Sequence, residues 1–212
     1  MSETCVILDI GGVLEVTPQT GWIQRWEEQM KLPAGSVHER MHDVWHAGSI
    51  GSISEREVHE QVAARLGLDE PQVSAFMTDL WAEYLGMPNG DLISYVRELR
   101  GRCRLGILSN SFVGARARET SLYHFDDLVE QIVYSHEIGI AKPDPRAFEA
   151  ACAGLDVLPE DCLFIDDVAV NVEAAEAVGM QGHRFEDNTR TIDRIAAHLA
   201  AGPRAPQGAS PL

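Results

Sequence analysis

Three short apolar runs, at residues 5–8, 105–108 and 162–165, punctuate the chain, and each passes directly into polar residues. Runs of this length without polar alternation have the pattern of strands buried on both faces. The polar followers are Asp9, then Ser109-Asn110, then Asp166-Asp167. Two further runs, 131–134 and 181–185, read as strands with a weaker pattern. Between the runs, apolar positions at helical spacing predict helices at 91–100, 111–121, 145–154 and 171–179. Alternation of strands and helices at this interval predicts an α/β fold in which helices cover a parallel sheet.

The stretch from 17 to 87 interrupts that alternation and reads as helices alone, at 22–30, 36–46, 55–66 and 72–85. Ser54 with Glu57 has the spacing of a capping box ahead of the third, and Asp69 with Pro71 suits the start of the fourth. Four helices inserted between the first and second strands predict a cap of residues 17–87 on a catalytic core made of 1–16 and 88–200. The remainder, 201–212, is mostly Gly, Pro, Ala and Ser without apolar period, which predicts a flexible tail.

At 212 residues, 45% hydrophobic and 24% charged, the chain has ordinary globular composition. Its formal charge of −16 argues against a nucleic-acid or anionic-membrane partner, either of which needs a basic footprint. Cys5, Cys103, Cys152 and Cys162 are widely spaced with no C-x-x-C pair, which fits buried thiols in a reducing compartment. No apolar run approaches the ~18 residues of a membrane span, and the start, Met-Ser-Glu-Thr, lacks a basic leader. These features predict a cytoplasmic protein.

In an open parallel sheet, chemistry collects just past the carboxyl ends of the strands. That places Asp9, which opens the turn Asp9-Ile10-Gly11-Gly12, together with Ser109-Asn110 and Asp166-Asp167. Lys142, within Gly139-Ile140-Ala141-Lys142-Pro143-Asp144, falls in an adjacent loop. Each has a simpler structural use when taken alone. Asp before Gly-Gly is a turn residue, Ser109-Asn110 and Asp166-Asp167 could cap helices, and a lysine is usually solvated. As an ordered set, however, they resemble the motifs of the haloacid dehalogenase-like (HAD) hydrolase superfamily, in its phosphatase-type branch with a small α-helical cap. The resemblance runs to about Leu199 and implies a Rossmann-like α/β core.

The resemblance implies a Mg²⁺-dependent phosphatase acting on a small phosphorylated metabolite. Asp9 would be the nucleophile, passing through an aspartyl-phosphate. The metal ligands would be Asp9, the Gly11 carbonyl oxygen, Asp167 and the neighbouring Asp166. Ser109 and backbone amides would hold the phosphoryl oxygens, Lys142 would neutralise the nucleophile, and Asn110 is expected beside them among the catalytic residues. Charge counting supports the arrangement. Three carboxylates and a phosphate dianion bring about −5 together, where like charges ~4 Å apart repel by several kcal/mol. Mg²⁺ and Lys142 return +3, and Mg²⁺ takes hard oxygen ligands.

One position departs from the pattern. Phosphatases of this superfamily usually carry a second Asp two residues after the nucleophile, as acid and base, and here that position is Gly11. A carbonyl ligand survives the change but the acid does not, so a cap residue or the substrate must supply the proton, or turnover is slow. A sugar-phosphate phosphatase branch shares the Asp-x-Gly start. Two alternatives stay open: a 2-haloacid dehalogenase, whose branch needs neither metal nor acidic pair, and a silent binding protein on the same fold. His38, His42 and His46 share one helix stripe; that spacing can build a transition-metal site, but solvated histidines are the simpler expectation. Trp45 and Trp81 are expected in the core of the cap.

Overall fold

The computed structural model of the chain describes residues 3–203. Five parallel strands form the sheet: β1 (Cys5–Leu8), β4 (Arg104–Ser109), β5 (Gln131–Tyr134), β6 (Cys162–Asp166) and β7 (Gln181–Arg184), in the order β5-β4-β1-β6-β7. β1 is central, with Leu8 opposite Ile107 on one side and Ile165 on the other. All four residues of β1 are buried. Val6 and Leu8 pack with Leu92, Val96 and Ile195 from helices α5 (Gly90–Glu98) and α10 (Asn188–Ala201). Cys5 and Ile7 face the other side, against Phe148, Ala151 and Ala175 of helices α8 (Pro145–Leu155) and α9 (Ala169–Ala177). Helices on both faces explain why the central strand carries no polar alternation. All four cysteines are buried and unpaired.

Helices α1 (Trp22–Gln29), α2 (Ser36–Ser49), α3 (Glu55–Leu66) and α4 (Glu70–Leu85) share a separate apolar cluster built on Trp22, Trp26, Met41, Val62, Phe76 and Trp81. The chain enters and leaves them through a two-residue antiparallel pair, β2 (Glu15–Val16) with β3 (Met87–Pro88). Capping boxes start α3 at Ser54/Glu57 and α4 at Asp69/Gln72, and Pro71 stands in the first turn of α4. Each box satisfies amides that the helix start leaves open. Helix α6 (Ala115–Tyr123) ties the two clusters together. Its Arg118 pairs with Glu55 at 2.6 Å and lies 4.0 Å over the Trp81 ring.

Several boundaries differ from expectation for local reasons. The helix expected from Ser111 begins at Ala115, with Gly114 as its N-cap, so Ser109-Asn110 does not cap it. The Ser111 amide donates instead to Ser135 Oγ at 2.8 Å, and the Val113 amide to the Gly48 carbonyl at 3.1 Å. These contacts hold 111–113 as a loop over the sheet edge. The helix expected at 171–179 starts at Ala169, after Val168 as N-cap, which puts Asn171 inside the helix. α2 runs on to Ser49, and α4 starts at Glu70 because Asp69 is its cap. A four-residue turn of helix, α7 (Ser135–Ile138), follows β5. The tail expected at 201–212 lies outside the described residues from 204 onward, and Ala201 closes α10.

Candidate active site

Asp9 leaves the central strand where the ladder ends, its amide still donating to Ile165 O at 2.9 Å. The Ile10 amide turns back to Asp9 Oδ1 at 2.8 Å, which fixes the carboxylate at the carboxyl edge. Two strands carry the other groups there: Ser109 ends β4 and Asp166 ends β6. The loop after α7 brings in Lys142, whose side chain is fully buried. Its Nζ donates to Asp9 Oδ2 at 2.9 Å and to Asp166 Oδ2 at 2.7 Å. One ammonium thus bridges two carboxylates on adjacent strands.

Asp9, Asp166 and Asp167 each offer an oxygen, and these atoms lie within 4.8 Å of one another. Burial lifts the Asp9 carboxyl to about 7; Lys142 opposes the lift and Asp166 adds to it. Asp167 is also raised, first by burial and then by Asp166. Three carboxylates against one ammonium leave a deficit of two positive charges. A hard divalent cation supplies that charge and prefers that donor set. Gly12 is part of the fit. At φ +73°, a Cβ there would stand 2.5 Å from Asp167 Oδ2, so only glycine lets the carboxylate come this close to the nucleophile loop.

Asn110, expected among the catalytic residues, turns its side chain onto Lys142. Its Nδ2 donates to Lys142 O at 2.9 Å, and its Oδ1 accepts from Lys142 N at 2.8 Å. The side chain therefore grips the backbone of the lysine and sets its place. Ser109 is buried and, with Ile10, Gly11, Asn110 and Glu15, lines a cavity of about 120 Å³ beside the nucleophile loop. A larger cleft of about 560 Å³ opens at the opposite, amino-terminal edge of the sheet. Arg100, Arg102, Arg104 and Glu130 line it, and it holds none of the groups above.

Two site residues escape the motif reading. Asn171 Nδ2 lies 3.2 and 3.1 Å from the two oxygens of Asp166, locking that carboxylate toward Lys142. The Val168 amide adds a bond to Asp166 Oδ1 at 2.8 Å. Glu15 is buried, and desolvation lifts its carboxyl to about 7. Thr17 Oγ1 donates to its Oε2 at 2.9 Å, whereas Oε1 has no hydrogen-bond partner among the described residues. The only signal for either was a polar residue within an otherwise core-facing segment.

His38, His42 and His46 are all exposed, and among the described residues no metal-sized grouping includes them. Trp81 is buried in the cluster of α1–α4, while Trp45 is half-buried. No helix is long and apolar enough to cross a membrane.

Residues 4–179 match the family model described as haloacid dehalogenase-like hydrolase. The chain belongs to that family of hydrolases. Phosphatase MT3486 of Mycobacterium tuberculosis is 33% identical over the whole of both chains. The sesquiterpene phosphatase astK of Aspergillus oryzae is 26% identical over 87% of this chain and 91% of its own. Among solved structures, a HAD family enzyme of Bacteroides thetaiotaomicron, in complex with magnesium and inorganic phosphate, superposes with a TM-score of 0.73. It is 20% identical, and the match covers 90% of this chain and 99% of that one. Relatives named as phosphatases, together with the family match, make the chain a hydrolase of phosphatase type.

Proposed function

We propose that the chain is a Mg²⁺-dependent phosphatase of a small phosphomonoester, working through a phosphorylated Asp9. The observation that carries this reading is the bridge of Lys142 Nζ between Asp9 and Asp166, with Asp167 in the same 4.8 Å cluster. An ammonium so placed balances the nucleophile before attack and favours its ionised form, which is the reactive one. A catalyst of carbon–halogen cleavage has no use for two further carboxylates at that position, so the acidic cluster favours phosphoryl transfer over the dehalogenase reading.

In this reading an Asp9 oxygen attacks phosphorus as the ester P–O bond breaks, and the leaving oxygen takes its proton from the substrate or a cap residue, since Gly11 offers no acid. Water then attacks the aspartyl-phosphate, releasing phosphate and restoring the carboxylate. Asp9, the Gly11 carbonyl, Asp166 and Asp167 would hold Mg²⁺. When bound, the ion supplies charge neutralisation for the phosphoryl oxygens. Ser109 offers its hydroxyl to those oxygens, and Asn110 acts through Lys142 by fixing its backbone. Residues 17–87 form the cap over a core of 1–16 and 88–200, excluding water and selecting the alcohol. The substrate is a phosphorylated metabolite, and the proposed location is the cytoplasm, in keeping with four unpaired buried thiols.

An aryl phosphate tests the reading, because its good leaving group needs little protonation. Turnover that requires Mg²⁺, stops with chelator and is lost in Asp9→Asn supports it. Release of halide from 2-haloacids in the presence of chelator favours the dehalogenase. Absence of any turnover by folded protein favours a binding role.

A further inference from the structure

The cavity beside Asp9 has a neighbour. Thr17 and Tyr84 line it and also line a wider groove of about 340 Å³ on α1, α2 and α4, a size typical of small-molecule sites. Trp22, Ile23, Trp45, Leu80 and Phe112 make most of its wall. Two of its polar side chains are already engaged. Thr17 Oγ1 donates to Glu15 at 2.9 Å, and Glu83 Oε2 accepts from the Thr20 amide and hydroxyl at 2.7 and 2.6 Å. Neither lysine nor arginine lines it among the described residues.

The groove is also built with care at the sheet edge. Phe112 comes from the loop after β4, directly beyond Ser109-Asn110, and wedges against α2 where Gly48 leaves room. A Cβ at Gly48 would lie 2.3 Å from the Phe112 ring. Phe112 stands edge-on to Trp45, with ring centroids 5.9 Å apart. An aromatic wall therefore begins within two residues of the phosphate-side motif.

A polyol, a sugar or a second anionic group placed against this aromatic and aliphatic wall would give up most of its water for few partners and no cation, which is costly. A hydrocarbon surface would gain by the same move. We propose that the leaving alcohol of the substrate is a hydrocarbon alcohol, aryl or alkyl, whose apolar body lies in this groove while its phosphate faces Asp9. This rests on the phosphatase reading and adds the substrate class to it.

The test is a series of n-alkyl phosphates from methyl to octyl, with ribose 5-phosphate as the polar comparison, all with Mg²⁺ and an aryl phosphate as reference. Burial of a methylene at ~0.8 kcal/mol corresponds to roughly a fourfold gain in kcat/KM for each one added, until the groove is filled. Octyl phosphate, with seven more methylenes than methyl phosphate, should then exceed it by up to about 10⁴-fold, and by about 10²-fold if only half of the added chain is buried; it should exceed ribose 5-phosphate as well. Leu80→Asp should pull the octyl-to-methyl ratio toward one; partial unfolding lowers both substrates alike and leaves the ratio unchanged. Turnover of the aryl phosphate with a flat alkyl series, or with ribose 5-phosphate preferred, overturns this inference alone. No turnover of any phosphate removes the phosphatase reading and this inference with it.

Discussion

Replacing Lys142 by Met keeps the length of the side chain and removes the ammonium that lies between Asp9 and Asp166. The two N–O distances, 2.9 and 2.7 Å, and the complete burial of the lysine and Asp166 side chains place the bridge out of water. At an effective dielectric of about 20 each contact is worth roughly 6 kcal/mol of attraction, most of it offset by desolvation. Removing one partner of such a buried pair typically costs about 3–5 kcal/mol, because the remaining charge is stranded. The cost depends on pH. Without the ammonium the folded Asp9 carboxyl holds its proton more tightly still, so the destabilisation is largest above its raised value of about 7. It shrinks as pH falls toward the ordinary carboxylate range near 4. Urea unfolding in chelator at pH 8 and pH 5.5 reads this directly. The expected fall in midpoint at pH 8 is about 1–2 M, and distinctly less at pH 5.5. Aryl phosphate turnover should fall by about 10²-fold or more, the scale of losing a preorganised electrostatic group. A midpoint unchanged at pH 8, or lowered equally at both pH values, would refute the reasoning.

Glu15 carries a raised carboxyl without a matching cation, so its contribution has the opposite sign from that of a salt-bridged acid. Stability is lost as pH rises from about 4.5 to about 7, and Glu15→Gln should recover about 1–3 kcal/mol at pH 8 and little at pH 5 in the same unfolding assay. Gly11→Asp should fold, since a Cβ there meets only Glu15 Oε2 at 4.0 Å. It should speed alkyl phosphate hydrolysis more than aryl phosphate hydrolysis, by tenfold or more, as a restored acid does; an unchanged leaving-group dependence counts against the missing-acid account. Gly12→Ala should cost about 1–3 kcal/mol and raise the Mg²⁺ concentration needed for half-maximal turnover, because its Cβ would displace Asp167.

What could be read from sequence follows from where each signal originates. The strands at 5–8 and 131–134 coincide with β1 and β5; burial on two faces demands apolar residues throughout β1, while edge strand β5 keeps a half-buried Gln131 at its start. The capping box of α3 and the Asp69-Pro71 start of α4 were readable because their signals lie within three residues, whereas the reciprocal bond from Gln72 to Asp69 appears only in the structure. The approach of Asp9, Lys142 and Asp166 could be anticipated, since parallel strands deliver their carboxyl ends to one edge. By contrast, β2 and β3 are two residues each and exist only because the chain crosses itself there. α10 buries Thr191, Ile195 and His198, two of them polar, so its apolar stripe is hard to see. The late start of α6 is set by Ser135 and Gly48, distant in sequence. Glu15 and Asn171 gain their places only when residues far apart fold around them, which no local pattern encodes.

The central claim, a phosphorylated Asp9, is tested most directly by trapping. Wild-type protein turning over an aryl phosphate with Mg²⁺ is quenched in acid, reduced with borohydride and mapped by mass spectrometry. An acyl phosphate is reduced to the alcohol, so the account predicts homoserine at position 9 and its absence without substrate. Steady turnover with Asp9 unmodified, or with the reduced residue at Asp166 or Asp167, would contradict it.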